Sequence, residues 1–376
     1  MVPLPSSSIA SSANSQRKLR HRLNWGTCPL AARDARGGAF LVVTTTSIRT
    51  HVNPVYGSYF ADPFVWRHGD TFYAVGTGEL EANGKAIGKV FPVLQSQDFY
   101  QWQPASSALV RPDPRLGTHF WAPEVAYAGG KFHLYYSVGF EDRDHQIRVA
   151  ISDLPQGPYE DVGVTLIDPK HCAFAIDPHP YQDEDGSWYL FYARDFLDTK
   201  EGHRAGTGLM VTRLRSMTET DGPGAVILRP RHDWQRFQAN RSMYGKNWDW
   251  HTVEGPFVLK RDGRYYCFFS GGRWECDTYG VDFAVADRVQ GPYTDAGSSG
   301  SPRVLKTVPD HVIGPGHNSV VTGPDGTTDY IIYHAWDRAL KARRMFIDKL
   351  RWLEEGPRCE GPTWGPGLDE RAVGKI

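Results

Sequence analysis

Apolar and polar positions along this chain fall into short runs, and the runs recur as one phrase: an acid or apolar residue, a proline, an apolar run, a Gly-containing turn, then a strand rich in aromatics. The first copy is Ala61-Asp62-Pro63-Phe64-Val65-Trp66, turning at Gly69-Asp70 into Thr71-Phe72-Tyr73-Ala74-Val75-Gly76. The second runs from Trp121-Ala122-Pro123-Glu124-Val125 through Gly129-Gly130 to Phe132-His133-Leu134-Tyr135-Tyr136. The third runs from Ile176-Asp177-Pro178-His179-Pro180 through Asp185-Gly186 to Trp188-Tyr189-Leu190-Phe191-Tyr192. The fourth runs from Val253-Glu254-Gly255-Pro256-Phe257-Val258 through Asp262-Gly263 to Tyr265-Tyr266-Cys267-Phe268-Phe269. The fifth, His317-Asn318-Ser319-Val320-Val321, turns at Pro324-Asp325-Gly326 into Tyr330-Ile331-Ile332-Tyr333-His334 and lacks the early proline. Turn chemistry and aromatic enrichment make each copy a β-hairpin. Copies spaced by roughly 50 to 80 residues predict a radial array of blades. The expected fold is all-β, a five-bladed β-propeller with a funnel-shaped site on its axis.

Between the hairpins the pattern predicts outer strands. Val93-Leu94-Gln95-Ser96 and Asp98-Phe99-Tyr100-Gln101-Trp102 read as outer strands of the first blade. Ile147 to Ser152 ends at Gly157-Pro158-Tyr159, and Val281 to Ala286 ends at Gly291-Pro292-Tyr293, an echo that supports internal repetition. No helical periodicity of any length appears. Residues 216–250 are the least repeat-like and read as a long connection between the third and fourth blades. Residues 1–48 differ from the rest. They are serine- and arginine-rich and poor in acids, a composition that fits a targeting or disordered extension, which leaves 49–376 for the propeller.

Composition changes this picture in few places. All-β folds often run long as one unit, so 376 residues need not mean two domains. With 42 basic and 43 acidic residues, net charge −1, no field favours nucleic acid or an anionic membrane. No stretch is long and apolar enough to span a bilayer. The chain carries 12 Trp, 18 Tyr and 18 Phe. Most of these are expected to fill wedges between blades, and a few to stack on a sugar. Cys28, Cys172, Cys267, Cys276 and Cys359 show neither zinc spacing nor a disulfide framework, and Cys267 reads as a small core residue.

The candidate chemistry lies at the starts of the repeats. In a propeller the first strand of each blade lines the axis, so residues there converge from distant positions. Asp62, Asp177 and Glu254 begin three of the five copies. Proline biases its predecessor towards an extended backbone and offers no N–H, which is expected to fix the direction of the acids. Two carboxyl groups flanking a glycosidic bond are the minimum for hydrolysing it, one protonated and one ionised. A third acid can raise the donor's pKa.

On the phrases Tyr59-Phe60-Ala61-Asp62-Pro63, His119-Phe120-Trp121-Ala122-Pro123-Glu124, Ile176-Asp177-Pro178, Val253-Glu254-Gly255-Pro256 and Gly316-His317-Asn318-Ser319, the chain resembles glycoside hydrolase family 43 from about residue 50 onward. That family comprises five-bladed propeller enzymes acting on arabinose- and xylose-containing polysaccharides. The resemblance implies Asp62 as general base, Glu254 as general acid, Asp177 as the residue tuning that acid, and inversion at the anomeric carbon. It implies sugar contacts from Trp121 and Phe120. It also places His317 near the axis, where some members hold a water-wrapped calcium ion. A lone histidine is a poor calcium ligand. Arg194 and Trp274 follow the ends of aromatic strands and are further candidates at the rim. The tail, Tyr333-His334-Ala335-Trp336-Asp337 with Arg343-Arg344-Met345, resembles the arabinan-acting and arabinofuranosidase-like branches.

The expected substrate is therefore an oligo- or polysaccharide carrying L-arabinofuranosyl units, cleaved by a monomer without a cofactor in the chemistry. Alternatives are a β-xylosidase of the same family, a retaining fructan- or sucrose-cleaving propeller, and a sugar-binding propeller without turnover. Trp274-Glu275-Cys276 faintly echoes the fructan family, but Ile176 stands where that family has arginine, and the Asp62 region lacks its Asn-Asp-Pro. A protein-interaction propeller would have no use for an axial acid cluster. A polymer substrate favours an extracellular location, although no secretory signal is evident.

Overall fold

The computed structural model describes residues 52–366 except 83–84, 171–172, 298–299 and 338, and the side chains of 79–89 and 366 are likewise not described. The 1–48 extension, Cys28 and Cys172 lie outside the described residues. What is described is all-β: strands joined by turns, with three short 3-10 segments and no α-helix among the described residues.

All five predicted hairpins form, and each opens an antiparallel meander. Ala61–His68 and Thr71–Thr77 lead into Lys85–Ser96 and Gln103–Leu109. His119–Ala128 and Lys131–Phe140 lead into Arg143–Ser152 and Glu160–Ile167. Ala175–Gln182 and Trp188–Phe196 lead into Gly206–Ser216 and Ala225–Leu228. Lys246–Arg261 and Arg264–Gly271 lead into Gly280–Ala286. Ile313–Thr322 and Asp329–Trp336 lead into Arg343–Leu353 and Gly356–Cys359. The third and fourth meanders join through a short parallel pairing of Gly206 with His251 and Thr207 with Thr252.

Each opening strand touches the opening strands before and after it, and the first touches the fifth, so the contacts form a closed cycle. Every sheet is therefore buried on both faces, and alternate residues of its second strand feed different interfaces. In Lys131–Phe140, Leu134 and Tyr136 pack towards the first sheet with Phe91 and Phe120, while Tyr135 packs towards the third with Leu190 and Tyr192. Three further clusters fill the remaining interfaces, centred on Phe191 and Phe269, on Phe268 and Tyr333, and on Phe72 and Ile332. The aromatics expected as wedges are these residues, and Cys267 is fully buried among them.

One irregularity recurs in all five opening strands. Asp62, Ala122, Asp177, Gly255 and His317 all adopt a left-handed backbone, with φ between 48° and 58°. At each of them the ladder register slips, as at a β-bulge. This corrects the expectation that proline holds its acidic neighbour extended. Asp, His and Gly tolerate the left-handed region, Ala122 adopts it without that advantage, and the proline that follows four of the five has no N–H to lose from the broken ladder. A second correction concerns Glu254. It stands one residue before the bulge residue Gly255, at the position filled elsewhere by Ala61, Trp121, Ile176 and Gly316. Only Asp62 and Asp177 are equivalent positions of the repeat.

Four of the five bulge amides are accepted by a side chain of the preceding sheet. Asp62 N–H donates to His334 Nδ1 (3.0 Å), Ala122 to Thr77 Oγ1 (2.8 Å), Gly255 to Asp177 Oδ2 (2.9 Å) and His317 to Ser270 Oγ (2.7 Å). Polar pegs thus tie sheet to sheet around the axis. At the periphery Val52–Asn53 pairs with Gly365–Pro366, and the buried Asn53 amide donates to Ile347 O and accepts from Ile347 N–H, both at 2.9 Å.

Two outer regions differ from expectation. Residues 98–102 are a turn, because Asp98 Oδ1 takes the N–H groups of Tyr100 and Gln101, and the strand begins at Gln103. Residues 216–250 are not a bare connection. They supply the outer strand Ala225–Leu228 and the strand Arg236–Met243, which pairs with the leading half of Lys246–Arg261. The Gly-Pro-Tyr echo is real in space. Gly157 and Gly291 have φ of 80° and 84°, and the Tyr159 and Tyr293 hydroxyls each donate to the carbonyl four residues back.

Candidate active site

The bulges deliver their side chains to one cavity of about 350 Å³. Asp62, Asp177, Glu254 and His317 line it, with Trp121, Trp274, Tyr279 and Arg343 around them. All three acids predicted from the repeats therefore meet at one place.

Their environments differ. Asp62 Oδ1 lies 3.4 Å from an Arg343 Nη, 3.5 Å from His317 Nδ1 and 3.2 Å from His334 Nδ1. Burial opposes ionisation of Asp62, but His317, Arg343 and His334 outweigh it and hold the carboxyl well below the ordinary range. Burial also lowers His317, and it takes His334 to about 4. Near neutral pH both rings are uncharged, so the standing positive charge facing Asp62 is the Arg343 guanidinium.

Glu254 moves the other way. Burial is the largest cause of its rise to about 7; the Tyr279 hydroxyl, donating to Oε1 at 2.8 Å, pulls it down, and Asp62 pushes it up. Asp177 is raised well above the usual carboxylate value by burial, then by Glu254 and Asp62, despite the Gly255 N–H it accepts. The arrangement separates one carboxyl held below the ordinary range from two raised above it.

The aromatic surfaces are braced from behind. Trp121 stacks on the buried His145 ring at 3.9 Å, with Phe174 against its edge. Trp274 stacks on Trp336, whose Nε1–H donates to Trp274 O at 2.7 Å, and the Arg343 guanidinium lies 4.4 Å from the Trp274 ring centre. Arg343 also donates to the Tyr59 hydroxyl at 2.6 Å.

Two sequence candidates do not line this cavity. Phe120 is in the core between the first two sheets, against Phe91 and Tyr136. Arg194 lies over Phe196 and reaches the carbonyl of Asp195. Glu275, the residue behind the fructan-type echo, pairs with Arg273 and is also absent from the cavity wall. In the other direction, sequence reasoning missed the lining residues Arg343 and Tyr279, a wall formed by Phe237, Arg241 and Trp250, and the fully buried His334, which accepts the Asp62 amide. Tyr279 and Arg343 have no repeat counterpart to mark them. His334 ends the aromatic run of the fifth copy, and it and Arg343 stand in the tail phrases of the family resemblance, where neither was given a role in the site. The wall is the hairpin of Arg236–Met243 and residues 246–251. Arg241 reaches Asp142 Oδ2 at 3.0 Å, and the Tyr244 hydroxyl donates to Asp195 Oδ2 at 2.7 Å.

A calcium ion is not matched by the donors present. Calcium takes six to eight oxygen ligands, and no group of three or more His, Cys, Asp or Glu side chains among the described residues is arranged to hold a metal. An ion beside His317 would have to bring its own waters.

Comparison with known proteins agrees with this geometry. The model for glycosyl hydrolases family 43 matches residues 51–357. A β-D-galactofuranosidase of Aspergillus niger is 29% identical over 333 residues, covering 84% of this chain and 86% of its own length. An extracellular endo-α-(1→5)-L-arabinanase of Bacillus subtilis is 26% identical over 317 residues, covering 79% and 86%. The crystal structure of a thermostable family-43 glycoside hydrolase superposes with a TM-score of 0.71 at 29% identity, covering 85% of this chain and all of that one. With the match running from the residue before the first described strand to the last outer strand, this chain belongs to glycosyl hydrolases family 43 and is a glycosidase.

Proposed function

We propose that the five meanders are the blades of a five-bladed propeller, that the acid-lined cavity is the funnel on its axis, and that the enzyme hydrolyses L-arabinofuranosyl linkages with inversion. The observation that carries the reading is the opposite displacement of two carboxyls in one cavity, Asp62 down and Glu254 up to about 7. Such a split separates base from acid.

In this reading the furanose stacks on Trp121. Glu254 gives its proton to the glycosidic oxygen as the bond from C1 to that oxygen breaks. Asp62 takes a proton from water as the water oxygen bonds to C1 from the opposite face. Asp177, holding the Gly255 amide, orients the strand that carries the acid and adds to the repulsion keeping it protonated. Arg343 keeps Asp62 ionised.

A second reading is supported by the Aspergillus relative, a β-D-galactofuranosidase. Its sugar carries the same furanose ring with a longer exocyclic arm, so the same acids would serve. Hydrolysis of debranched arabinan, branched arabinan, arabinoxylan and the aryl glycosides of arabinofuranose, galactofuranose and xylose decides between them. Anomeric proton signals recorded during the first minutes decide the stereochemistry. Retention, or turnover of the xyloside alone, would end the reading.

A further inference from the structure

Below the three acids lies a second polar pair that the chemistry above does not use. Glu124 and His179 are 6% and 3% exposed. The Val258 N–H donates to His179 Nε2 at 2.9 Å, closer than the Val258 carbonyl oxygen at 3.3 Å, so that nitrogen carries the lone pair. The proton is therefore on Nδ1, which donates to Glu124 Oε2 at 2.7 Å. The ring packs against Phe257, with centroids 4.7 Å apart.

Both residues stand two places after a bulge residue, Ala122 and Asp177 respectively. The corresponding residue of the fifth strand, Ser319, acts as His179 does, accepting the N–H of Val65 on the next sheet at 3.2 Å. Glu124 has no such amide to accept, because the matching residue of the third sheet is Pro180. It accepts the His179 proton instead.

The consequence falls on Glu254. The fourth strand's register slips between Glu254 and Phe257, so the ladder does not hold this stretch. Two side chains of the third sheet bracket it: Asp177 takes the Gly255 amide and His179 takes the Val258 amide, each at 2.9 Å. We propose that His179 is a positioning residue for Glu254, and that Glu124 fixes the tautomer that lets it serve. The proposal rests on Glu254 being the proton donor. Proton transfer to a leaving oxygen depends on sub-ångström placement. A leaving group that departs without protonation is indifferent to it.

The test compares α-1,5-arabinotriose, whose leaving group needs a proton, with 4-nitrophenyl α-L-arabinofuranoside, whose leaving group needs little. His179→Phe keeps the ring volume and removes the acceptor. It should cut kcat on the trisaccharide by about 10- to 100-fold and on the aryl glycoside by less than about threefold. His179→Gln supplies both an acceptor for Val258 and a donor for Glu124, and should return the trisaccharide rate to within about threefold of the parent. Equal losses on both substrates, no loss, or no rescue by His179→Gln would each overturn the proposal. If thermal unfolding shows His179→Phe to be unfolded, Glu124→Met replaces it. That variant frees the His179 tautomer and should show the same skew at about 3- to 10-fold; an unskewed Glu124→Met overturns the proposal equally. Glu254→Gln is measured alongside. If it lacks the skew, the proton-donor reading falls and this inference with it. If it shows the skew while the His179 variants do not, this inference falls alone.

Discussion

The floor and one wall of the same cavity are built in opposite ways. The floor comes from repetition: Asp62, Asp177 and His317 occupy the same bulge position on three different strands, and a cyclic packing of those strands brings them together. The wall comes from an exception. The hairpin contributing Phe237, Arg241 and Trp250 extends the opening strand of the fourth sheet, and among the described residues no other opening strand is extended in this way. The floor is held by polar pegs from sheet to sheet, whereas the wall is held at its tip by two tethers, Arg241 to Asp142 and Tyr244 to Asp195. The difference teaches that one cavity can draw its acids from positions the sheets share, or lie next to, and one of its walls from a segment that a single sheet adds.

The largest effects should come from the floor. Asp62→Asn should lower kcat by about 10³- to 10⁴-fold on every substrate, since it removes the carboxylate proposed to activate water. Glu254→Gln should cost about 10²- to 10⁴-fold on natural linkages and far less on activated aryl glycosides. Comparable losses from wall variants on both substrate types would erase the contrast. Next is Arg343→Met. Without the guanidinium Asp62 should titrate higher, so the acid limb of the kcat/KM profile moves to higher pH, with about a 10- to 100-fold loss at neutral pH. An unmoved limb would take Arg343 out of that role.

Glu254 sets the other limb. As the proposed proton donor it must be protonated to act, so kcat/KM should fall as pH rises through about 7. The same shift bears on stability. Its folded pKa lies above the ordinary 4.5, so its stabilising contribution is complete below about 4.5 and fades as pH rises through about 7. Melting temperatures recorded across that window should decline less in Glu254→Gln than in the parent.

Wall variants sharpen the contrast from the other side. Arg241→Ala breaks the tether to Asp142 and removes a cation lying 4.6 Å from the Phe237 ring centre. It should raise KM for oligosaccharides by about 3- to 10-fold and change the product distribution, while kcat on a small aryl glycoside stays within about twofold. Tyr244→Phe removes one hydrogen bond to Asp195 and should do the same more weakly, by about twofold or less. A kcat effect on the small substrate larger than the KM effect would place the wall in the chemistry.

The same contrast explains what could be read from the chain. All five hairpins, the interface aromatics and the acids Asp62, Asp177 and Glu254 were legible because each is marked by a recurring local phrase. The left-handed bulge was not, because the rule that proline favours an extended predecessor gives no weight to a register slip that only pairing creates. Hence Glu254 was read as equivalent to Asp62 and Asp177 when it lies one position earlier. Phe120 and Trp121 are adjacent in sequence, and nothing local said that one would enter the core and the other the cavity; the strand's alternation at the bulge decides it. Arg343, Tyr279 and the wall occur once each, so periodicity was blind to them.

The Asn53 amide, seated on both backbone groups of Ile347, brings the two ends of the described chain onto one sheet, with Val52 beside Pro366. The two ends of the described stretch are thus joined by a seam at the periphery, in addition to the contacts between opening strands that close the cycle. A polypeptide linked across that seam and opened instead at an outer turn such as Gly129-Gly130 would keep every residue of the cavity in place.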